Sequence, residues 1–410
     1  MRPYIDLPKV SVVTSHGYQT LENPDDERLI DLLRIHEIPW SAVTIYSRKD
    51  ESGQLMLTSG LDKRLSDFKD VSELLVFFNR NINPFIFTGK RFSSTTTDGN
   101  SPSTEYFYQD LVNETASSEL ILKKLTPEEC KEIIAHRIRE TIQEHVPKGV
   151  NLVVGISGGG DSNALIYGLS QLKDHDIKLH PVILKGIPDW DAGYPRAKEL
   201  CDRYGLELKV YEESDIKKML KISTNSISLI DRFELEFQGD DFDFLGTLLI
   251  RLALSERARE LNARYICTGL NLEDVFCEGI FRTSTGRKPA SIPVRTIGDI
   301  NLVVPLWLCP KRIIDGCFPK YSLENYEARY PCFSLGRNFY YTIVYNIQSQ
   351  FPGFAEQYVQ GLAKQGQQDP VEYKFDQELG FDVEHTIPHS LRKKFMRMLE
   401  KTVNPIINGQ

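Results

Sequence analysis

Paired cysteines are missing from this chain. Its 410 residues hold seven cysteines (Cys130, Cys201, Cys267, Cys277, Cys309, Cys317 and Cys332), scattered singly, odd in number and never in a Cys-x-x-Cys spacing. That pattern excludes a disulfide framework and a closed zinc site, and reads as reduced thiols in or near cores. The eight histidines are equally scattered and none falls in the motifs described below, so histidine catalysis or a histidine metal site is not expected. No uncharged apolar run is long enough to cross a bilayer, and Met1 to Asp6 lacks the basic-then-apolar order of a signal peptide. A cytoplasmic protein without a membrane partner is the expectation. A net charge of −8 argues against a broad nucleic-acid footprint, while leaving room for a local basic strip. What is present is 41% hydrophobic residues, ample for buried cores, over a length that suggests two or three units.

Four stretches differ in character. Residues 1–92 combine strand-like runs (Lys9 to Val13, Ala42 to Tyr46, Gln54 to Leu57, Glu73 to Phe78) with one helical segment from Asp25 to Leu33, a small α+β unit for which a ubiquitin-like β-grasp is considered. Residues 93–124 form a linker that opens with the polar run Ser93 to Thr104. Thr126, Pro127 and Glu129 then match a capping box, with Ile133, Ile134, Ile138 and Ile142 at helical spacing behind it. From residue 150 the chain alternates: strand 152–156, helix 161–173, strand 180–186, helix 191–204, strand 207–211, helix 245–261, strand 264–268. This rhythm predicts an α/β fold with an open, doubly wound parallel sheet across 125–365, followed by a C-terminal extension, 366–410.

Ser157-Gly158-Gly159-Gly160-Asp161-Ser162 ends the first of these strands and opens a helix. A glycine-rich turn there leaves unpaired N–H groups facing outward, with the helix dipole favouring an anion, so a phosphate chain is expected in the loop. Ser157 and Ser162 can add hydroxyl donors, whereas Asp161 makes sense as a Mg²⁺ ligand. No Gly-Lys-Ser/Thr follows, which disfavours ordinary γ-phosphate transfer. About 110 residues on, Thr268-Gly269-Leu270-Asn271-Leu272-Glu273-Asp274 ends a later strand whose carboxyl end faces the same way. Its acids could hold a metal or orient a nucleophile, or Asn271 and the acids could simply cap the helix.

The SGGGDS string resembles the SGGxDS loop of the N-type ATP pyrophosphatases, the PP-loop superfamily, which split ATP between the α and β phosphates. The later segment is similar to the TGHxxDD element of the tRNA-thiolating and tRNA-lysidine branches. Val304-Pro305-Leu306, Cys309-Pro310-Lys311, Tyr330-Pro331-Cys332 and Phe351 to Phe354 are similar to landmarks of the tRNA 2-thiocytidine and 2-thiouridine synthetases. The resemblance implies an adenine nucleotide alpha hydrolase-like fold with ATP and Mg²⁺ as cofactors. Ser157, Gly158, Gly159, Gly160, Asp161 and Ser162 would cradle the pyrophosphate portion. Main-chain groups at Ile183 and Leu184 would take the adenine, and Thr268 and Gly269 would flank the ribose and α-phosphate. Asp161 and Asp274 would be metal ligands and, with Lys311, catalytic.

Three departures from that pattern shape the functional expectation. Leu270 stands in place of the family histidine, and Glu273 in place of the first aspartate. Asp240 to Leu245 contains no Cys-x-x-Cys, and Leu335 takes the position of a later cysteine, so an iron–sulfur cluster is not expected from the family positions. The implied reaction is adenylation of an acceptor carbonyl oxygen, followed by substitution with sulfur or nitrogen, as in tRNA nucleobase modification. The partners would then be tRNA, or a small-molecule acceptor, with a sulfur or nitrogen donor protein. The alternatives are a small-molecule amide-forming ligase and a nucleotide-binding module without catalysis. Arg282, Arg287, Lys288, Arg295, Lys311 and Arg312 are the clearest basic concentration, read either as a solvated face or as a phosphate-binding strip. Tyr340, Tyr341 and Tyr345 are read as core or surface aromatics.

Overall fold

The computed structural model describes residues 7–14, 17–22, 25–36, 38, 43–50, 56–58, 61, 63–78, 104–109, 120–186, 191–222, 227–237, 242–318, 321, 340–341, 343–345, 347–348, 353–384 and 388–399. The expected linker run 93–103, together with Cys332 and Leu335, lies outside them.

The N-terminal unit contains β1 (Lys9–Thr14), β2 (Gly17–Thr20), α1 (Leu29–Ile35), β3 (Val43–Arg48), β4 (Met56–Thr58) and β5 (Glu73–Phe78). The strand order is β2-β1-β5-β3-β4, with β1 and β5 parallel and every other pair antiparallel. Two hairpins thus clasp one helix through their first and last strands, which is a β-grasp sheet. Val10, Val12, Val43, Ile45, Leu74 and Val76 alternate onto the face that receives Leu29, Leu32 and Leu33 of α1. Glu73, buried on the opposite face, accepts from Ser11 Oγ at 2.6 Å and from Arg48 Nε at 2.8 Å, so its charge is not stranded. A hairpin of β6 (Thr104–Gln109) and β7 (Leu120–Leu125) follows.

The larger unit begins with α2 (Pro127–His145), whose Thr126 and Glu129 form the predicted capping box. It continues with β8 (Asn151–Gly155), α3 (Gly160–Ser170), β9 (Lys178–Leu184), α4 (Tyr194–Arg203), β10 (Lys209–Tyr211), α5 (Glu213–Met219), α6 (Leu229–Glu236), α7 (Phe242–Glu260) and β11 (Tyr265–Cys267). Then come α8 (Leu272–Ser284), β12 (Val294–Ile297), β13 (Ile300–Val303), α9 (Lys311–Cys317), α10 (Phe354–Gln368), β14 (Tyr373–Asp376), β15 (Phe381–Glu384) and α11 (His389–Met398).

Six strands order as β10-β9-β8-β11-β13-β12, all parallel except the edge strand β12. The order runs outward from β8 in both directions, so the sheet is doubly wound and its switch point lies between β8 and β11. Strand alternation sends Val153, Ile266 and Leu302 to one face, under α6, α7 and α11. Leu152, Val154, Ile183, Cys267 and Val303 go to the other face, under α2, α3 and α9. The stretch from 366 onward does not stand apart: α10 runs across residue 365, and Leu379, Phe381, Phe395 and Met398 enter the same core as Phe233 and Phe237. Among the described residues no helix is long and apolar enough to cross a membrane.

Candidate active site at the switch point

Crevices at a switch point open at the carboxyl ends of the two diverging strands, and the two motifs lie there. β8 leaves its ladder with the Ile156 N–H donating to Val182 O at 3.0 Å. The chain then turns through Gly158 at φ +75°, a left-handed conformation that favours glycine. A Cβ on Gly158 would stand 2.5 Å from Ala197 N and 2.7 Å from Gly193 O, so the loop is pressed against the start of α4. Ser162 Oγ accepts from the Ser157 N–H at 2.8 Å and lies 3.2 Å from Ser157 Oγ, which staples the loop across its mouth. Gly159, the N-cap of α3, supplies no side-chain cap. The N–H groups of the first turn, at Gly160, Asp161 and Ser162, therefore present the donor set an anion needs.

On the neighbouring strand, Ile183 and Leu184 turn their peptide groups to opposite sides. The Lys185 N–H donates to Tyr211 O at 2.8 Å, so residues 183 and 185 address β10. By alternation, Leu184 directs its peptide groups toward the β8 side, beyond the point where β8 has turned away. Gly269 lies against the loop, since a Cβ there would stand 3.5 Å from Asp161 Cβ. Beside it, the buried Thr268 Oγ1 has no hydrogen-bond partner among the described residues, a polar atom that a nucleotide oxygen would satisfy.

Asp161 is the centre of the constellation. Its Oδ1 accepts from Asn271 Nδ2 at 2.9 Å and its Oδ2 meets Lys311 Nζ at 2.5 Å. Asn271 does cap α8, with Oδ1 accepting from the Asp274 N–H at 3.0 Å and Asp274 Oδ2 accepting from the Asn271 N–H at 2.9 Å. An asparagine carries an acceptor and a donor on one amide, so the same side chain caps the helix and grips the loop. Asp274 also accepts from the Tyr341 hydroxyl. Lys311, buried, reaches Asp315 Oδ1 at 3.3 Å as well, so one ammonium serves two carboxylates. Glu273 is 1% exposed and accepts from the Lys311 N–H at 2.8 Å and from Gln348 Nε2 at 3.0 Å. Leu270 packs with Tyr340 and Tyr341 against the apolar cluster of Leu272, Phe276 and Val344.

The structure brings Asp161, Gly269, Asn271, Asp274 and Lys311 together, with Ser157 and Ser162 joined across the loop; Leu184 and Thr268 stand near the carboxyl ends of the adjacent strands. Asp315, Tyr341 and Gln348 belong to this group too and sit in no motif. Asp315 alone left a signal, one helical turn after Lys311.

Among the described residues no group of three or more His, Cys, Asp or Glu side chains converges as a metal cage. Magnesium characteristically takes one or two carboxylates plus phosphate oxygens, and Asp161 on a phosphate-type loop matches that donor set. Asp274 is engaged by its cap and by Tyr341, and Asp161 by Asn271 and Lys311, so either carboxylate would take a metal through the second lone pair of an oxygen that already accepts a hydrogen bond. The six described cysteines are all buried. Burial pushes Cys201 up to about 12, and burial pushes Cys309 up to about 12 as well, both beyond thiolate chemistry at neutral pH.

Four of the six cations in the basic concentration have acidic partners. Arg282 pairs with Glu384 at 2.7 Å, Arg295 with Glu278 at 3.0 Å, Lys288 with Asp369 at 2.7 Å, and Lys311 is committed as above. Spacing in sequence gathered these cations, but carboxylates from α8, β15 and the residue that follows α10 neutralise them.

No protein-family profile and no curated protein matches the chain. Among solved structures it is similar to the U34-tRNA thiolase NcsA from Methanococcus maripaludis with its [4Fe-4S] cluster, at 19% identity and TM-score 0.49, covering 61% of this chain and 83% of that one. It is also similar to the NH3-dependent NAD synthetase from Campylobacter jejuni (16% identity, TM-score 0.31, 58% of this chain and 94% of that one). A third is the NMN synthetase from Francisella tularensis (13%, TM-score 0.34, 62% and 100%). At these values the likeness concerns chain fold and leaves chemistry to the residues described above.

Proposed function

We propose that the chain binds Mg-ATP in the crevice between β8 and β11 and transfers AMP to a carbonyl oxygen of an acceptor. The observation that carries this reading is the glycine turn at Gly158, which aims the open first turn of α3 and the carboxylate of Asp161 into one space.

In this scheme the loop amides and the hydroxyls of Ser157 and Ser162 bind the β and γ phosphates, leaving the α-phosphorus toward Thr268 and Gly269. Asp161 would hold Mg²⁺, which when bound neutralises phosphate charge and steadies the leaving pyrophosphate. The acceptor oxygen forms the new bond to the α-phosphorus, the α–β bridging bond breaks, and pyrophosphate departs with that electron pair. Lys311 stands beside Asp161 and is placed to offset the charge that develops on the bridging oxygen. A sulfur or nitrogen nucleophile then displaces AMP from the activated carbon. Asn271 and Glu273 do no bond chemistry; they fix Asp161 and Lys311 in place.

A tRNA nucleobase is the acceptor that the sequence landmarks favour, with a donor protein delivering sulfur or nitrogen. A small-molecule carbonyl in an amide-forming reaction is the second reading, and the internal pairing of Arg282, Lys288 and Arg295 favours it. Incubation with labelled ATP and either bulk tRNA or a metabolite pool tests both: AMP and pyrophosphate should appear in equal amounts with one of them and vanish in Asp161→Asn. ADP as the product would refute adenylation. Nucleotide that binds but never turns over would mark a module without catalysis.

A further inference from the structure

Tyr341 and Gln348 reach the site from a helical stretch that no motif marks, and both donate to consecutive residues of α8. We infer that Tyr341 and Gln348 are positioning residues which lock the Asp161 carboxylate, and with it the metal–nucleotide complex, through two hydrogen-bonded arms. The inference rests on the Mg-ATP reading above.

The first arm runs from the Tyr341 hydroxyl to Asp274 Oδ1, from the Asn271 N–H to Asp274 Oδ2 at 2.9 Å, and from Asn271 Nδ2 to Asp161 Oδ1 at 2.9 Å. The second runs from Gln348 Nε2 to Glu273 Oε1 at 3.0 Å, from the Lys311 N–H to Glu273 Oε2 at 2.8 Å, and from Lys311 Nζ to Asp161 Oδ2 at 2.5 Å. Glu273, Asp274 and Asp161 each use both carboxylate oxygens as bridges. The arms start on one helical stretch and end on different oxygens of one group. A carboxylate held at a single oxygen still turns about its terminal torsion, which is broad, whereas one held at both does not. Glu273, Asn271 and Lys311 are buried, so water does not compete for these bonds. Val344, in the same stretch, is buried against Leu272, Val275 and Phe276, which anchors the starting point of both arms to α8.

The test uses Tyr341→Phe and Gln348→Met, singly and together, in the full chain. Tyr341→Phe removes the hydroxyl and keeps the ring stacked on Tyr345, whose centroid lies 5.9 Å away. Calorimetry follows ATP binding as Mg²⁺ is titrated and again in EDTA. Each single variant should raise the Mg²⁺ concentration for half-saturation about five-fold, the worth of one hydrogen bond, with ATP affinity in EDTA unchanged. The double variant should exceed the product of the singles, because each arm still holds Asp161 when the other is cut. Unchanged magnesium dependence, an equal loss with and without magnesium, or a simple product overturns the inference. Wild-type protein that binds no ATP in either condition overturns the Mg-ATP reading itself, and this arm assignment with it.

Discussion

Replacing Gly158 by alanine strains the loop in two separable ways. A residue with a Cβ at φ +75° pays about 1–2 kcal/mol for the left-handed conformation alone. The new methyl would also meet Ala197 N at 2.5 Å, Gly193 O at 2.7 Å and Arg196 Cβ at 2.8 Å, two of them backbone atoms that cannot rotate aside. Overpacking of that kind costs about 1–3 kcal/mol more, relieved only by moving the loop off α4. Gly205 is the internal control: it sits at φ +63° with nothing within 4 Å of its would-be Cβ. Gly205→Ala should therefore lose only the conformational part of the stability in urea unfolding and bind Mg-ATP like wild type. Gly158→Ala should lose the larger amount and weaken Mg-ATP binding about 10–100-fold by calorimetry, about 1.4–2.8 kcal/mol. Equal nucleotide affinity for Gly158→Ala and wild type would refute the placement of phosphates in this turn.

Further outcomes follow from neighbouring groups. Lys311→Met leaves Asp161 and Asp315 facing each other without their shared cation and should destabilise the protein by about 3 kcal/mol in chemical unfolding; Asp315→Asn in the same chain should restore part of that. Burial holds the described cysteines as thiols, so iodoacetamide at mildly alkaline pH should leave Cys201, Cys267, Cys309 and Cys317 unlabelled until urea is added, as read by peptide mass spectrometry. Burial alone would raise the Glu384 carboxyl, but the hydrogen bonds and charge of Arg282 outweigh it and hold the group below its ordinary 4.5. Its contribution to stability is thus complete above about pH 4.5 and lost as pH falls through the lowered folded value, and Glu384→Gln should flatten the acid limb of the stability profile.

Local chemistry explains what the sequence made legible. Thr126 with Glu129, and the glycines after β8, act within a few residues of themselves, so their spacing suffices to place a helix start and a phosphate-type turn. Asn271 was open to a capping and a catalytic reading; it caps α8 and, through the other end of the same amide, also holds Asp161, a contact linear spacing does not show. The β-grasp order of β1–β5 was harder to read because β1 pairs with the distant β5, Lys9 opposite Glu73 and Ser11 opposite Leu75, and no periodicity encodes a partner. The contacts of Tyr341, read as a core or surface aromatic, and of Gln348 were not legible for the same reason: they donate across 67 and 75 residues to side chains that could accept from many donors. Counting cations along the chain left both readings of the basic concentration open, since Arg282 and Arg295 have partners in β15 and in α8 that linear spacing does not show.

The central claim is that the nucleotide breaks between its α and β phosphates. Two ATP analogues test it directly, one with a methylene bridge between α and β and one with an imido bridge between β and γ, each supplied with Mg²⁺ and the tRNA or metabolite pool that supports turnover. The β,γ-imido analogue should give AMP and imidodiphosphate, and the α,β-methylene analogue no product. Inorganic phosphate released from the α,β-methylene analogue, with the β,γ-imido analogue inert, would contradict the claim.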